Sequence, residues 1–226
     1  MKESTGHTLS RAHMHTVASE RVAEIAKEFT DGFKFLENYP KSVTFFGSTK
    51  AAENDPYYQS ARTLSSRLVK ELGYSVVSGG GPGIMEAADR GAFEAGGNSI
   101  GLLIDLPHAQ PKNDYITRSV SFHYFFARKV CLAFGAEVFI FYPGGFGTLD
   151  EFFEIVTLIQ TQKITSVPLI CIGSEYWNSV KNFIQQELLT RGMIDKEDIE
   201  LFTITDDQDE IMEMIRKVPV RADVPK

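Results

Sequence analysis

The chain has 226 residues, of which 43% are hydrophobic, and a formal net charge of -7. That length suffices to bury one substantial core, and the acidic balance without any long Lys/Arg run excludes the electrostatic footprint of a nucleic-acid polymer partner. No apolar run approaches the roughly 18 residues of a membrane span and the opening MKESTGHTLSRAHMH lacks a secretory h-region, so no membrane partner and a cytoplasmic location are expected.

The first fifteen or so residues are polar and aperiodic, and read as a loosely docked or disordered tail. From Val22 onward, Ile25, Phe29, Phe33 and Leu36 recur at three- and four-residue intervals, which predicts an amphipathic helix ended by Pro40. Residues 1–38 are therefore expected to be a tail and packing helix, with 39–226 forming a single catalytic domain. Beyond Pro40, short β-branched or aromatic runs alternate with helical stretches, the pattern of successive βαβ units. Strands are predicted over 43–46, 75–78, 99–104, 137–142, 168–172 and 202–204, and helices over 57–72, 84–95, 124–134, 148–161 and 176–190. A last helix opens with a capping-box pattern at Asp207 and Glu210 and carries Ile211, Met214 and Ile215 on one side. The fold class expected is α/β, a Rossmann-like, mostly parallel sheet with helices on both faces.

Ligands of open α/β sheets collect at the carboxyl ends of the strands, so the residues directly after each strand are the informative ones. Three such turns are unusual: Gly47-Ser48-Thr49, then Gly79-Gly80-Gly81-Pro82-Gly83, then Pro143-Gly144-Gly145-Phe146-Gly147-Thr148. Each leads into a predicted helix, whose unpaired amides and dipole favour a phosphate, and Thr148 adds a hydroxyl donor. One such cluster would suggest only a tight turn; three at one sheet edge point to an anion site. A dinucleotide fingerprint fails, because Ile84 stands where the last glycine of a GxGxxG run from Gly79 would be, and Glu86 where one from Gly81 would be. No Gly-Lys-Ser/Thr follows any turn, which excludes a P-loop.

Glu151 falls one helical turn beyond the third cluster and can face a sugar attached to a bound phosphate, with Asp150 pointing about 100° away around the helix. Arg128 and Lys129 interrupt an otherwise aromatic and aliphatic helix, where adjacent cations must reach solvent or an anion; the planar fork of Arg128 suits a phosphate or carboxylate. The nearby aromatics Phe122, Tyr124, Phe125 and Phe126 read mainly as core. Cys131 and Cys171 sit among apolar neighbours and are expected to be buried thiols. The histidines show no ligand spacing, so no metal is expected.

PGGFGTLDE at 143–151, with Arg128-Lys129 upstream, resembles the LOG (Lonely Guy) family, historically labelled "possible lysine decarboxylase", in its PGGxGTxxE pattern. The resemblance extends over roughly 42–214. It implies a phosphoribohydrolase that converts cytokinin riboside 5'-monophosphates, and often AMP, to the free base without a cofactor. It further implies Glu151 and Arg128 as the catalytic pair, with Lys129, Gly144, Gly145, Phe146, Gly147, Thr148 and Thr157 lining the nucleotide site. Gly47, Ser48, Gly79, Gly80, Gly81, Gly83 and Met85 would complete it, and the enzyme would be a homodimer. Two departures bear on the base: Phe125-Phe126-Ala127 replaces the common Met-His-Glu, and Ala109 stands where a ligand-contacting glutamate is expected. The alternative is a non-catalytic nucleotide sensor or carrier on the same fold.

Overall fold

A computed structural model describes residues 11–105 and 112–219, with side chains from 17 onward. Seven parallel strands form one sheet in the order β4-β3-β2-β1-β5-β6-β7. They are β1 (Ser42–Phe46), β2 (Ser75–Ser78), β3 (Ser99–Ile104), β4 (Arg118–Phe122), β5 (Val138–Phe141), β6 (Leu169–Cys171) and β7 (Thr203–Ile204). The helices are α1 (Arg11–Leu36), α2 (Pro56–Leu72), α3 (Ile84–Glu94), α4 (Phe125–Phe134), α5 (Phe146–Gln160), α6 (Ser174–Phe183) and α7 (Gln208–Arg216). This is the expected Rossmann-like α/β fold.

Because successive strand residues point to opposite faces, each strand feeds two cores. Val43, Phe45, Val76, Val138, Ile140 and Ile170 pack with buried residues of α2, α3 and α7. On the other face Phe46, Val77, Ile100, Leu102, Phe139 and Phe141 pack with α4, α5 and Trp177 of α6. There Phe152 sits with its ring centroid 4.8 Å from Trp177, 5.1 Å from Phe202 and 5.5 Å from Phe141. Among the described residues no helix is long and apolar enough to cross a membrane.

Several boundaries depart from the sequence expectation. The first helix begins at Arg11 rather than near Val22, so part of the expected tail is helical, while residues 1–10 lie outside the described residues. Its far end docks on α4 through Phe29 against Phe126 and Phe33 against Phe134. Strand β4 was not expected: its sequence, RSVSF, is an edge strand exposed at Arg118, Ser119 and Ser121, so it lacks the continuous apolar run of a doubly covered strand. The helix expected over 176–190 is α-helical only to Phe183, and continues as a π-helix over Ile184–Leu189. At α7, Asp207 caps the amides of Asp209 and Glu210, but the return arm of the box runs through Thr205. The Asp207 amide donates to the Thr205 hydroxyl (3.2 Å), which donates to Glu210 (2.6 Å).

Leu64 lies fully buried on α2, away from the glycine turns. Leu64→Ala is expected to lower stability by about 2–5 kcal/mol, read as a lower urea midpoint at unchanged slope. A loss below about 1 kcal/mol would contradict this packing.

Candidate active site

The strand order reverses between β1 and β5, which places the ends of these two strands at the sheet's switch point. All three glycine turns meet there. The Ser48 amide donates to the Pro143 carbonyl (3.0 Å), and the Ser48 carbonyl accepts from the Ile84 amide (3.0 Å). The second turn reaches this contact only because Gly83 adopts φ +72°; a side chain there would collide with the Ser48 carbonyl.

Below these turns opens a cleft of about 510 Å³. It brings together Gly47, Ser48, Gly79, Met85, Arg128, Gly145, Phe146, Gly147, Thr148 and Glu151 from the expected set. Gly80, Gly81 and Gly83 are buried in the second turn and do not line it. Gly144 does not line it either; its carbonyl accepts from the Tyr176 hydroxyl (2.9 Å), which braces the third turn from outside. Lys129 and Thr157 line a neighbouring groove along the outer side of α5, with Phe153 and Leu158. The Thr157 hydroxyl is turned back onto the Phe153 carbonyl (2.7 Å). The segment containing Ala109 lies outside the described residues.

The cleft is also lined by Thr49, already part of the first turn, by Phe125, read mainly as core, and by Asp150, expected to point away. Sequence reasoning missed Phe46, Lys50 and Ile104, which line it too. Phe46 and Ile104 close their strands and Lys50 directly follows the first turn, so counting one residue further on each side would have found all three. Of the aromatics read as core, Phe122 is buried, but Phe125 and Phe126 are 55% and 48% exposed. They fall on the face of α4 that no neighbouring element covers fully, a distinction that residue type alone does not carry. Both cysteines are free and buried, as expected.

The helix N-termini differ in how they are capped. Asp55 caps α2 and Asp207 caps α7. Glu28 accepts the His123 and Tyr124 amides ahead of α4, and Asp206 accepts those of Gly173 and Ser174 at α6. By contrast, α3 and α5 begin at Gly83 and Gly145 with no side-chain cap. Helix N-termini left open in a cleft are suited to an anion, which supplies the acceptors and meets the positive end of the dipole.

Glu151 lies in the same cleft and is only 9% exposed. Helix α5 starts at Phe146, two residues earlier than expected, so Glu151 lies beyond the first turn and a dipole preference does not explain it. Burial pushes its carboxyl up to about 7, with Lys129 and Arg128 pulling it back and Glu154 and Asp150 adding to the rise. The Arg128 side chain turns inward and donates through Nε to the Leu102 carbonyl (2.7 Å). Burial lowers its pKa and Glu151 opposes that, yet a guanidinium stays charged. Gly79 makes room for it, since a Cβ there would strike the Arg128 guanidinium. Lys129 pairs with Asp150 (2.7 Å) and Glu154 (2.8 Å). Burial works against its charge, but these partners outweigh it and push its pKa up to about 12.

Fold and site together define a doubly wound α/β protein with a glycine-lined cleft and one buried carboxylate at the sheet's switch point. The family model described as "Possible lysine decarboxylase" matches residues 85–215, more than half of the chain. The chain thus belongs to that family, the LOG family. A cytokinin riboside 5'-monophosphate phosphoribohydrolase of Rhodococcoides fascians is 26% identical over 148 residues, covering 65% of this chain and 75% of that protein. One of the same activity name from Arabidopsis thaliana is 28% identical over 153 residues, covering 67% and 71%. Among solved structures, the structural-genomics target TM1055 is similar with a TM-score of 0.60 at 24% identity, covering 79% of this chain and 99% of that one. A molybdenum cofactor carrier protein from Chlamydomonas reinhardtii has a TM-score of 0.55 at 22% identity, covering 79% and 98%. These structural likenesses bear on the fold alone.

The raised Glu151 carboxyl sets a sign for stability. Its folded pKa exceeds the value of 4.5 from which it is raised, so its contribution is full below about 4.5 and is lost as pH rises through about 7. Glu151→Gln is therefore expected to be more stable than the parent at pH 8, by on the order of 2–3 kcal/mol, with the difference vanishing near pH 4. Denaturant titrations at both pH values check this, and equal stability at pH 8 would contradict the burial. Carbon NMR of the carboxyl should give a midpoint near 7, moving higher in Lys129→Met, which removes the largest opposing charge.

Proposed function

We propose that this chain hydrolyses the N-glycosidic bond of a purine or cytokinin nucleoside 5'-monophosphate, AMP included, releasing the free base and ribose 5-phosphate. The observation that carries the reading is the buried Glu151 carboxylate in one cleft with the N-terminal turn of α5, which has no side-chain cap. The phosphoribohydrolase names of the relatives from Rhodococcoides fascians and Arabidopsis thaliana support it.

In this reading the 5'-phosphate takes the open amides at the start of α5, with the Thr148 hydroxyl as a further donor. Anchoring the phosphate orients the ribose, so that remote binding energy serves the reacting bond. As the C1'–N9 bond lengthens, its electron pair leaves with the base and positive charge develops on the ribose. The Glu151 carboxylate stabilises that charge and accepts a proton from the water that attacks C1'. That proton leaves for solvent, and the departing base takes one up. A carboxyl tuned to about 7 is matched to such exchange near neutral pH. Arg128 holds the sugar or polarises the departing base. No cofactor enters these steps.

The row Phe126, Val130 and Phe134, four residues apart on α4, stays partly exposed even where Phe29 and Phe33 of α1 pack on it, and supports a homodimer through this helix. Lys129 and Thr157, outside the cleft of their own chain, would then face the second copy. Val130→Asp is expected to convert the dimer to monomer in sedimentation; a wild-type monomer would remove this part of the reading.

Incubation with AMP and with isopentenyladenosine monophosphate should release free base, read by chromatography, with adenosine turned over at least a hundredfold less efficiently. Glu151→Gln should lose turnover by at least a hundredfold while still binding AMP. The acidic limb of kcat/KM should fall with a midpoint near 7, since the carboxylate must be ionised. Nucleotide binding without base release by the wild type would favour a carrier, and equal turnover of AMP and adenosine would defeat the phosphate site.

A further inference from the structure

Asp89 lies fully buried in the middle of α3, and no cation pairs with it among the described interactions. An ionised carboxylate away from water is costly unless hydrogen bonds hold it, and burial raises its pKa accordingly. Its Oδ2 accepts from the Ser78 hydroxyl (2.7 Å) and from Asn113 Nδ2 (2.7 Å). The Ser99 hydroxyl lies close enough to join Ser78 and Asn113 in opposing that rise. Burial of this kind adds little stability in itself.

Both donors also grip the second glycine turn. The Gly80 amide donates to Ser78 Oγ (2.9 Å), the Asn113 amide donates to the Gly80 carbonyl (3.0 Å), and Asn113 Nδ2 donates to the Gly81 carbonyl (3.0 Å). Asn113 is itself oriented by the Tyr115 amide, which donates to its Oδ1 (3.1 Å). The polar groups of Gly80 and Gly81 named here are thereby turned away from the cleft, while Gly79 lines it with Arg128. Turn and guanidinium fit together tightly enough that one added methyl at Gly79 would overlap Arg128 Nη2.

We propose that Asp89 is a positioning residue for the hydrolysis inferred above: acting through Ser78 and Asn113, it fixes the 79–81 turn and so the seat of the Arg128 side chain. This rests on that reading of the site. Asp89 touches no substrate; its effect passes through backbone placement. A neutral amide serves the same purpose, because the carbonyl oxygen of an asparagine accepts both donors and its NH2 can donate to the Ser99 hydroxyl oxygen. An aliphatic side chain does not, because it leaves two buried donors without an acceptor.

The test compares wild type, Asp89→Asn, Asp89→Leu and Ser78→Ala, with kcat and KM for AMP and amide hydrogen exchange over 76–82 and 112–118. Asp89→Leu is expected to lower kcat at least tenfold, with KM changed less than threefold because the α5 end of the phosphate site is untouched. Asp89→Asn should stay within threefold of wild type in both. Exchange protection should drop in the two segments of Asp89→Leu and not across the rest of the chain. Ser78→Ala, a small change with less risk to folding, should show the same kcat loss to a lesser degree and decides the matter if Asp89→Leu does not fold. Wild-type kcat in Asp89→Leu or Ser78→Ala, a loss in Asp89→Asn equal to that in Asp89→Leu, or protection lost evenly along the chain would each overturn the proposal. Absence of base release by the wild type would instead overturn the functional reading, and the exchange arm would still decide whether Asp89 fixes the turn.

Discussion

The site depends on the backbone of one residue. The Ser48 amide holds the turn after β5 and its carbonyl holds the start of α3, so three segments far apart in sequence meet at one residue. Each bond contributes only about 0.5–1.5 kcal/mol net. Their weight is geometric, since they set where two helix ends stand relative to each other. The parallel sheet makes this meeting possible: β1 lies between β2 and β5, so the turns that follow these strands emerge side by side.

Around that frame the charges are graded by depth. Lys129 faces outward and shares its charge with Asp150 and Glu154. Arg128 is drawn inward, anchored on a strand carbonyl under the second turn. Glu151 is placed where burial disfavours its ionised form and the two cations partly restore it. A carboxylate held this way interacts strongly with charge appearing beside it, because little water intervenes. The same burial opposes folding at neutral pH, so the cleft carries a local cost that the two apolar cores must offset.

Most of the sheet was legible because its strands are covered on both faces and therefore read as unbroken apolar runs. Strand β4 was not, since an edge strand with one open face shows Arg118, Ser119 and Ser121 in place of such a run. The turns were legible from their glycines, and Glu151 from its distance along α5. Thr157 was placed in the nucleotide site by family resemblance, whereas in a single chain it faces the outer groove. Asp89 left no sequence signal: an acidic residue on a helix reads as solvated until the tertiary structure shows it facing the sheet. Asp150 belongs to the cleft by virtue of side-chain direction, which spacing alone does not give.

The bare glycine at the head of α5 has a consequence for reading other chains of this architecture. At α2 and α7 an aspartate occupies the equivalent place, and such a residue generally strengthens a helix by about 1 kcal/mol. A side chain at Gly145 would meet open space, so an aspartate there would make a sturdier protein that repels an anion, whereas at Gly83 it would strike the Ser48 carbonyl. Across homologues, the residue at the head of α5 should separate chains that still take up an anion from those that have given up that role for rigidity, before any assay is run.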